Sequence, residues 1–129
     1  MGKVSKRYED MTVDEKIKKV ERRIKVLFRE IPKERRQFVD GLIYQFAVTT
    51  VTLERLVEEL NNGEILEDFE QGKQKFRREN PALKSYNTTI KSFTALTNQL
   101  ISLIPEKEKK STGDALMSFI TEPRGAPKK

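Results

Sequence analysis

Cysteine and histidine are both missing from this chain. Their absence excludes disulfides, thiol nucleophiles, zinc sites of the usual Cys/His kind and imidazole acid–base catalysis. A chain without cysteine also fits a reducing compartment. Long apolar runs are missing too. None approaches the roughly 20 residues that span a bilayer, so no membrane partner is expected. The opening MGKVSKRYEDMT lacks the apolar core of a secretion signal, and Gly2 with the residues after it meets the myristoylation pattern only loosely. The few glycines are scattered and build neither a GxxxxGK[ST] phosphate loop nor a dinucleotide-binding turn. Serine and threonine are plentiful, but no evident base activates them. The carboxylates Glu64, Glu67, Asp68 and Glu70 match no calcium loop and have Lys73 and Lys75 beside them. The expectation is therefore a non-catalytic protein with no metal and no cofactor.

What the chain does have is charge. It is 36% charged and 36% hydrophobic over 129 residues, which suits one domain built of exposed helices or an assembly of small protomers. The sign is uneven. Residues 1–36 hold 13 Lys/Arg against 7 Asp/Glu, a net of +6, and the rest of the chain is neutral. An excess confined to one quarter of the chain points to an anionic partner on one side, with nucleic acid leading.

Residues 1–11 are polar and expected to be flexible. Thr12 and Glu15 then make a capping box for a helix over 13–31. Val13, Ile17, Val20, Ile24, Leu27, Phe28 and Ile31 form its apolar face. Lys18, Arg22, Lys25 and Arg29 recur at steps of four, three and four as a separate stripe, and Lys16, Lys19 and Arg23 flank the apolar face on its other side. Such rows either keep a helix solvated or contact phosphates, and the unbalanced sign keeps the second reading open. Lys33, Arg35 and Arg36 continue the basic series beyond the break at Ile31-Pro32.

A second helix is expected over 33–61, with Gly63 past its end. Phe38, Leu42, Phe46, Leu53, Leu56, Val57 and Leu60 form one face, and Tyr44, Val48 and Val51 a second, so the helix is read as sandwiched within the protomer or between protomers. Its β-branched middle, Val48 to Thr52, is a poor helix former and needs tertiary packing to hold it. Residues 64–78 read as a β-hairpin turning at Gln71-Gly72, with an acidic arm opposite a basic one, although a helical continuation rivals it.

The longest apolar stripe follows, in NPALKSYNTTIKSFTALTNQLISLIP. Asn80 is a good N-cap, Pro81 suits the first helical position and Pro105 stops the helix, which is placed at 81–104. Leu83, Tyr86, Ile90, Phe93, Leu96, Leu100 and Ile104 fall in one arc, and a chain this small cannot easily cover all of it. After the charged linker EKEKK, Ser111 is expected to cap a short helix carrying Leu116, Met117, Phe119 and Ile120. That segment is either a docking peptide or a helix folded back on the core. The ending EPRGAPKK is too rich in Pro, Gly and Lys to fold alone.

NPALKSYN, the helix ending QLISLIP, the charged hairpin EDFEQGKQKF before them and GDALMSFI after them, behind a basic first helix, together resemble the small terminase subunit of tailed bacteriophages over residues 13–121. The resemblance implies a mainly α protomer: a basic helix, two long helices, one small hairpin and a short C-terminal helix, assembled side by side into a homo-oligomeric ring. It implies a non-catalytic subunit that binds double-stranded phage DNA in the host bacterial cytoplasm and presents it to the large terminase subunit, which carries the ATPase and nuclease. On that reading the DNA-binding candidates are Lys18, Lys19, Arg22, Arg23, Lys25, Arg29, Lys33, Arg35 and Arg36. Phe46, Leu53, Tyr86, Ile90, Phe93 and Leu100 are candidates for protomer contacts, and Leu116, Phe119 and Ile120 for docking the large subunit. A dimeric helix–turn–helix-type regulator and an adaptor that binds only protein remain as alternatives.

Overall fold

The computed structural model describes residues 6–64, 66–71 and 74–122, with backbone alone for 67–71 and 74–77. Among these residues the protein is mainly helical: α1 (Val13–Leu27), α2 (Lys33–Asn62), α3 (Pro81–Ser102) and α4 (Lys109–Thr121), with strands β1 (Leu66–Gln71) and β2 (Gln74–Glu79) between α2 and α3.

The capping box at α1 forms: Glu15 N–H donates to the Thr12 hydroxyl at 3.1 Å and Thr12 N–H to the Glu15 carboxylate at 2.9 Å. Glu15's carboxyl is held below its ordinary range, first by that Thr12 backbone hydrogen bond and then by Lys6. α1 ends at Leu27, four residues short of the expected 31. The residue before a proline is pushed away from helical geometry, and 28–31 become a turn that drops both Phe28 and Ile31 into the core.

α2 starts at Lys33 as expected and ends one residue later than the expected 61. Its β-branched middle is helical because it is packed. Thr50 and Val51 are buried, and the hydroxyls of Thr49, Thr50 and Thr52 donate to the carbonyls of Gln45, Phe46 and Val48. The two strands pair antiparallel with Phe69 opposite Phe76, so that Glu67, Asp68 and Glu70 stand at register positions opposite Arg78, Arg77 and Lys75. Gly72 of the expected turn lies outside the described residues. At α3, Ala82 N–H donates to the Asn80 side chain at 3.0 Å and Pro81 occupies the first turn, while the Asn80 amide donates back to the Glu64 carbonyl at 3.0 Å. One residue thus caps a helix and ties it to the segment leaving α2.

α1 and α3 both pack antiparallel to α2. Tyr8, ahead of α1, bonds Glu54 far along α2, and the end of α3 reaches the residues around Pro32 and Arg35. α4 closes the group. Phe46 is the hub, with its ring 5.1 Å from Phe93 of α3 and 6.1 Å from Phe119 of α4. Around it Val20, Ile24, Phe28, Val39, Ile43, Val51, Leu100, Ile104 and Leu116 form one core. Each fully buried Leu, Ile or Phe stabilises the fold by about 1.5–3 kcal/mol relative to exposure.

Several expectations change here. Within the expected flexible stretch 1–11, of which 6–11 are described, Tyr8–Asp10 make a 3-10 turn, with Lys16 Nζ 5.3 Å from the Tyr8 ring centroid. EKEKK is not an open linker. Glu106–Glu108 form a 3-10 turn and α4 begins at Lys109, so Ser111 lies inside the helix, donating to the Glu108 carbonyl, and does not cap it. Of α2's two expected faces, Val51 is buried whereas Phe38 and Tyr44 point outward. Residues 123–129, most of EPRGAPKK, lie outside the described residues.

Candidate nucleic-acid interface

α1 packs through Val20 and Ile24, which are buried, and so turns its opposite side to solvent. At 100° per residue, Lys18, Arg22, Lys25 and Arg29 fall on that side, with Lys19 and Arg23 along one edge. Lys18, Lys19, Arg22, Arg23 and Arg29 are exposed and Lys25 is half-buried. Lys33 and Arg35, also exposed, extend the surface at the start of α2. All nine candidate cations thus lie on α1, the turn after it and the first turn of α2, and none of them is buried.

Their partners divide them. Lys18 pairs with Asp14 at 3.2 Å and Lys25 with Glu21 at 3.7 Å, one helical turn apart, and Arg29 stands 3.9 Å from Glu30. Exposed pairs of this kind contribute about 0.2–1 kcal/mol and exchange readily for a phosphate. Lys19, Arg22, Lys33 and Arg35 have no carboxylate partner among the described residues. Val26 sits among these cations at 56% exposure.

Two of the nine do something else. Arg36 donates to the backbone carbonyls of Phe28 (3.2 Å), Arg29 (2.6 Å) and Ile31 (3.3 Å). It ties down the turn that joins α1 to α2, a structural role. Arg23 pairs with Glu122 and lies 4.9 Å from the Phe119 ring centroid, so it holds the end of α4 against α1. Neither role was visible in the chain, because both partners lie in other elements.

The apolar candidates also divide. Phe46 and Leu100 are fully buried and Leu53 nearly so. They hold the protomer together and are corrected from contact residues to core residues. Tyr86, Ile90 and Phe93 are half-buried. They line the thinly packed part of the α2–α3 pair: among the described residues, no side chain between Leu53 and Asn62 of α2 or between Leu83 and Leu96 of α3 is fully buried. In α4, Leu116 and Phe119 are in the core at 0% and 1% exposure, and Ile120 is half-buried. A docking role for Leu116 and Phe119 is thus corrected: α4 folds back on the core, and its exposed large apolar residue is Met117.

Beyond the cationic face there is an open cleft at the far end of α2, lined by Thr52, Arg55, Glu58, Glu59, Asn62 and Asn80 among others. Among the described residues no group of three or more metal-ligating side chains converges, and no helix is long and apolar enough to cross a membrane. Comparison with known protein families, with curated proteins and with solved structures gives no match.

Proposed function

We propose that this chain is the DNA-recognition and regulatory subunit of a viral genome-packaging motor, a terminase small subunit in kind. It binds double-stranded phage DNA in the host bacterial cytoplasm, as a ring of protomers, and presents it to the large subunit, which supplies ATP hydrolysis and cleavage. The observation that carries this reading is the exposed, net-positive surface of α1, the turn after it and the first turn of α2, in a chain whose remaining charge balances. The terminase-like order of segments over residues 13–121 adds the packaging context.

Lys18, Lys19, Arg22, Lys25, Arg29, Lys33 and Arg35 contact phosphates in this proposal. Each protomer binds weakly, and repetition around the ring raises avidity without any new contact. The half-buried Tyr86, Ile90 and Phe93 supply protomer contacts, because they cap a stretch of paired helices that the protomer leaves thinly covered. The protein performs no catalysis of its own.

The test is charge reversal. Arg22→Glu with Arg29→Glu, both at exposed positions, should leave the helical content unchanged and cut retention of duplex DNA at least tenfold, since each reversal removes a contact and adds a repulsion. Unchanged retention by an intact assembly removes these residues from the DNA surface. Mass in solution separates the readings: a closed ring of many copies supports the packaging subunit, whereas a dimer that binds DNA supports a regulator. No binding to DNA at low salt supports the protein-only adaptor.

A further inference from the structure

We propose that the outer face of α2, centred on Gly41, is a two-fold contact between two copies of this chain. The inner side of α2 is occupied by Val39, Ile43, Phe46, Ala47 and Thr50, all buried. The outer side carries Gln37, Phe38, Gly41, Tyr44 and Gln45, all exposed, with Phe38 at 56% and Tyr44 at 47%. From Gln37 to Leu53 the only charged residue is Asp40, in a chain that is 36% charged. An uncharged, aromatic helix face is out of keeping with the rest of this surface.

Gly41 sharpens the point. Glycine weakens the middle of a helix relative to alanine, and the fold of the protomer does not require one here: a Cβ at Gly41 meets nothing within 4 Å. The reason for a missing side chain lies outside the protomer. A glycine on a helix surface lets a second backbone come close.

The identity of the second backbone follows from the order of residues. About Gly41 the chain reads nearly alike in both directions: glutamine, aromatic, two residues, glycine, two residues, aromatic, glutamine, as QFVDGLIYQ. When two copies of a helix cross antiparallel on a two-fold axis, the residue k places before the axis lies over the residue k places after it in the other copy. With Gly41 on the axis, Phe38 meets Tyr44 of the second copy, twice, and Gln37 meets Gln45, twice. Aromatic pairs stack well, and two carboxamides satisfy each other's donors and acceptors. Thr49 and Thr52, farther along, already donate their hydroxyls to Gln45 and Val48 carbonyls at 2.7 and 2.8 Å, so covering them strands no donor. This self-complementarity favours a second copy over an unrelated protein.

The contact closes at two chains and is independent of the DNA reading; a ring needs a second, head-to-tail surface elsewhere. Because the chain has no cysteine, a single Gly41→Cys variant places its only thiol on the axis, and Ser118→Cys, exposed on α4, is the control. Under mild oxidation of the full chain, Gly41→Cys should form a covalent dimer about tenfold faster than the control or more, because the paired thiols are held at high effective concentration. Gly41→Arg should keep the far-ultraviolet circular dichroism of the native chain, given the open space at its Cβ, and lower the native mass measured by sedimentation. Crosslinking no faster than the control, or a native mass unchanged by Gly41→Arg, overturns the contact. A native mass of two chains that falls to one upholds the contact and overturns the ring. A larger native mass that falls on Gly41→Arg upholds the contact and leaves the ring standing.

Discussion

Arg36 ends a row of cations, yet its guanidinium points back at the chain that precedes it. Three carbonyls at the close of α1 accept from it. Phe28 is the C-cap residue of α1, and Arg29 and Ile31 belong to the turn that leads to α2, so the guanidinium holds that turn closed. Arg36→Ala should therefore destabilise the fold by about 1–2 kcal/mol, since charge-assisted hydrogen bonds are lost and the carbonyls stay half-covered. Urea unfolding followed by circular dichroism measures this. DNA affinity per folded molecule should change much less than in Arg22→Glu. Arg22 and Arg36 look equivalent in the chain; only the tertiary fold tells a cation with no carboxylate nearby from one that closes a turn. The same holds for Arg23, whose partners Phe119 and Glu122 lie about a hundred residues away.

Among elements, the two ends of the bundle obey different rules. Local signals were legible where a few neighbouring residues settle the outcome. Thr12–Glu15 and Asn80-Pro81 start α1 and α3 where capping chemistry puts them. The acidic and basic arms of the hairpin face each other in the register of β1 and β2. Legibility failed where packing decides. Ser111 has the right side chain for a cap, but the chain after Pro105 turns helical early enough to bury Leu116 and Phe119. Apolar spacing marks Leu100 and Tyr86 alike, and only the tertiary packing buries one in the core and leaves the other half-open. Two predictions belong here. Phe119→Ala removes a core ring in contact with Phe46 and should cost about 3–5 kcal/mol. Met117→Ala, on the outside of the same helix, should cost well under 1 kcal/mol. Urea midpoints of the two variants compare them directly; a docking peptide without a core role would show no such contrast.

The start of α1 also sets a pH dependence. Glu15's carboxyl lies below its ordinary value of 4.5, because its charged form accepts from Thr12 N–H and pairs with Lys6. A lowered folded value means that the carboxylate's contribution is fully present above pH 4.5 and is lost as pH falls through the folded value. The amides of the first turn of α1 should accordingly lose protection, relative to their intrinsic exchange at each pH, as the solution is acidified, while the middle of α2 keeps its protection. Glu15→Gln, which keeps the acceptor oxygen but cannot ionise, should remove most of that pH response. Amide exchange across the acid range, read residue by residue, tests both statements.

For the whole molecule, the decisive quantity is how many cations meet DNA at once. Five of the candidate cations on α1 and the turn after it are exposed, and those that are paired have partners within one helical turn or in the adjoining residue, apart from Arg23. If Lys18, Lys19, Arg22 and Arg29 each neutralise a phosphate, counterion release gives log affinity against log salt a slope of about −3 to −4 for each protomer engaged. A closed assembly multiplies that slope by the number of protomers whose α1 faces the duplex at the same time. Anisotropy titrations of duplex DNA over a salt series, run beside sedimentation of the same samples, yield slope and mass together. A steep slope with a large mass fits a collar gripping the backbone all round. A slope near −7 with a mass of two chains instead fits two α1 faces set by the α2 contact, as a dimeric regulator would present them. Charge alone cannot separate these outcomes, since the same seven cations serve both; the separation rests on geometry, on whether α2's uncharged face or the half-covered end of α2 and α3 meets the next copy.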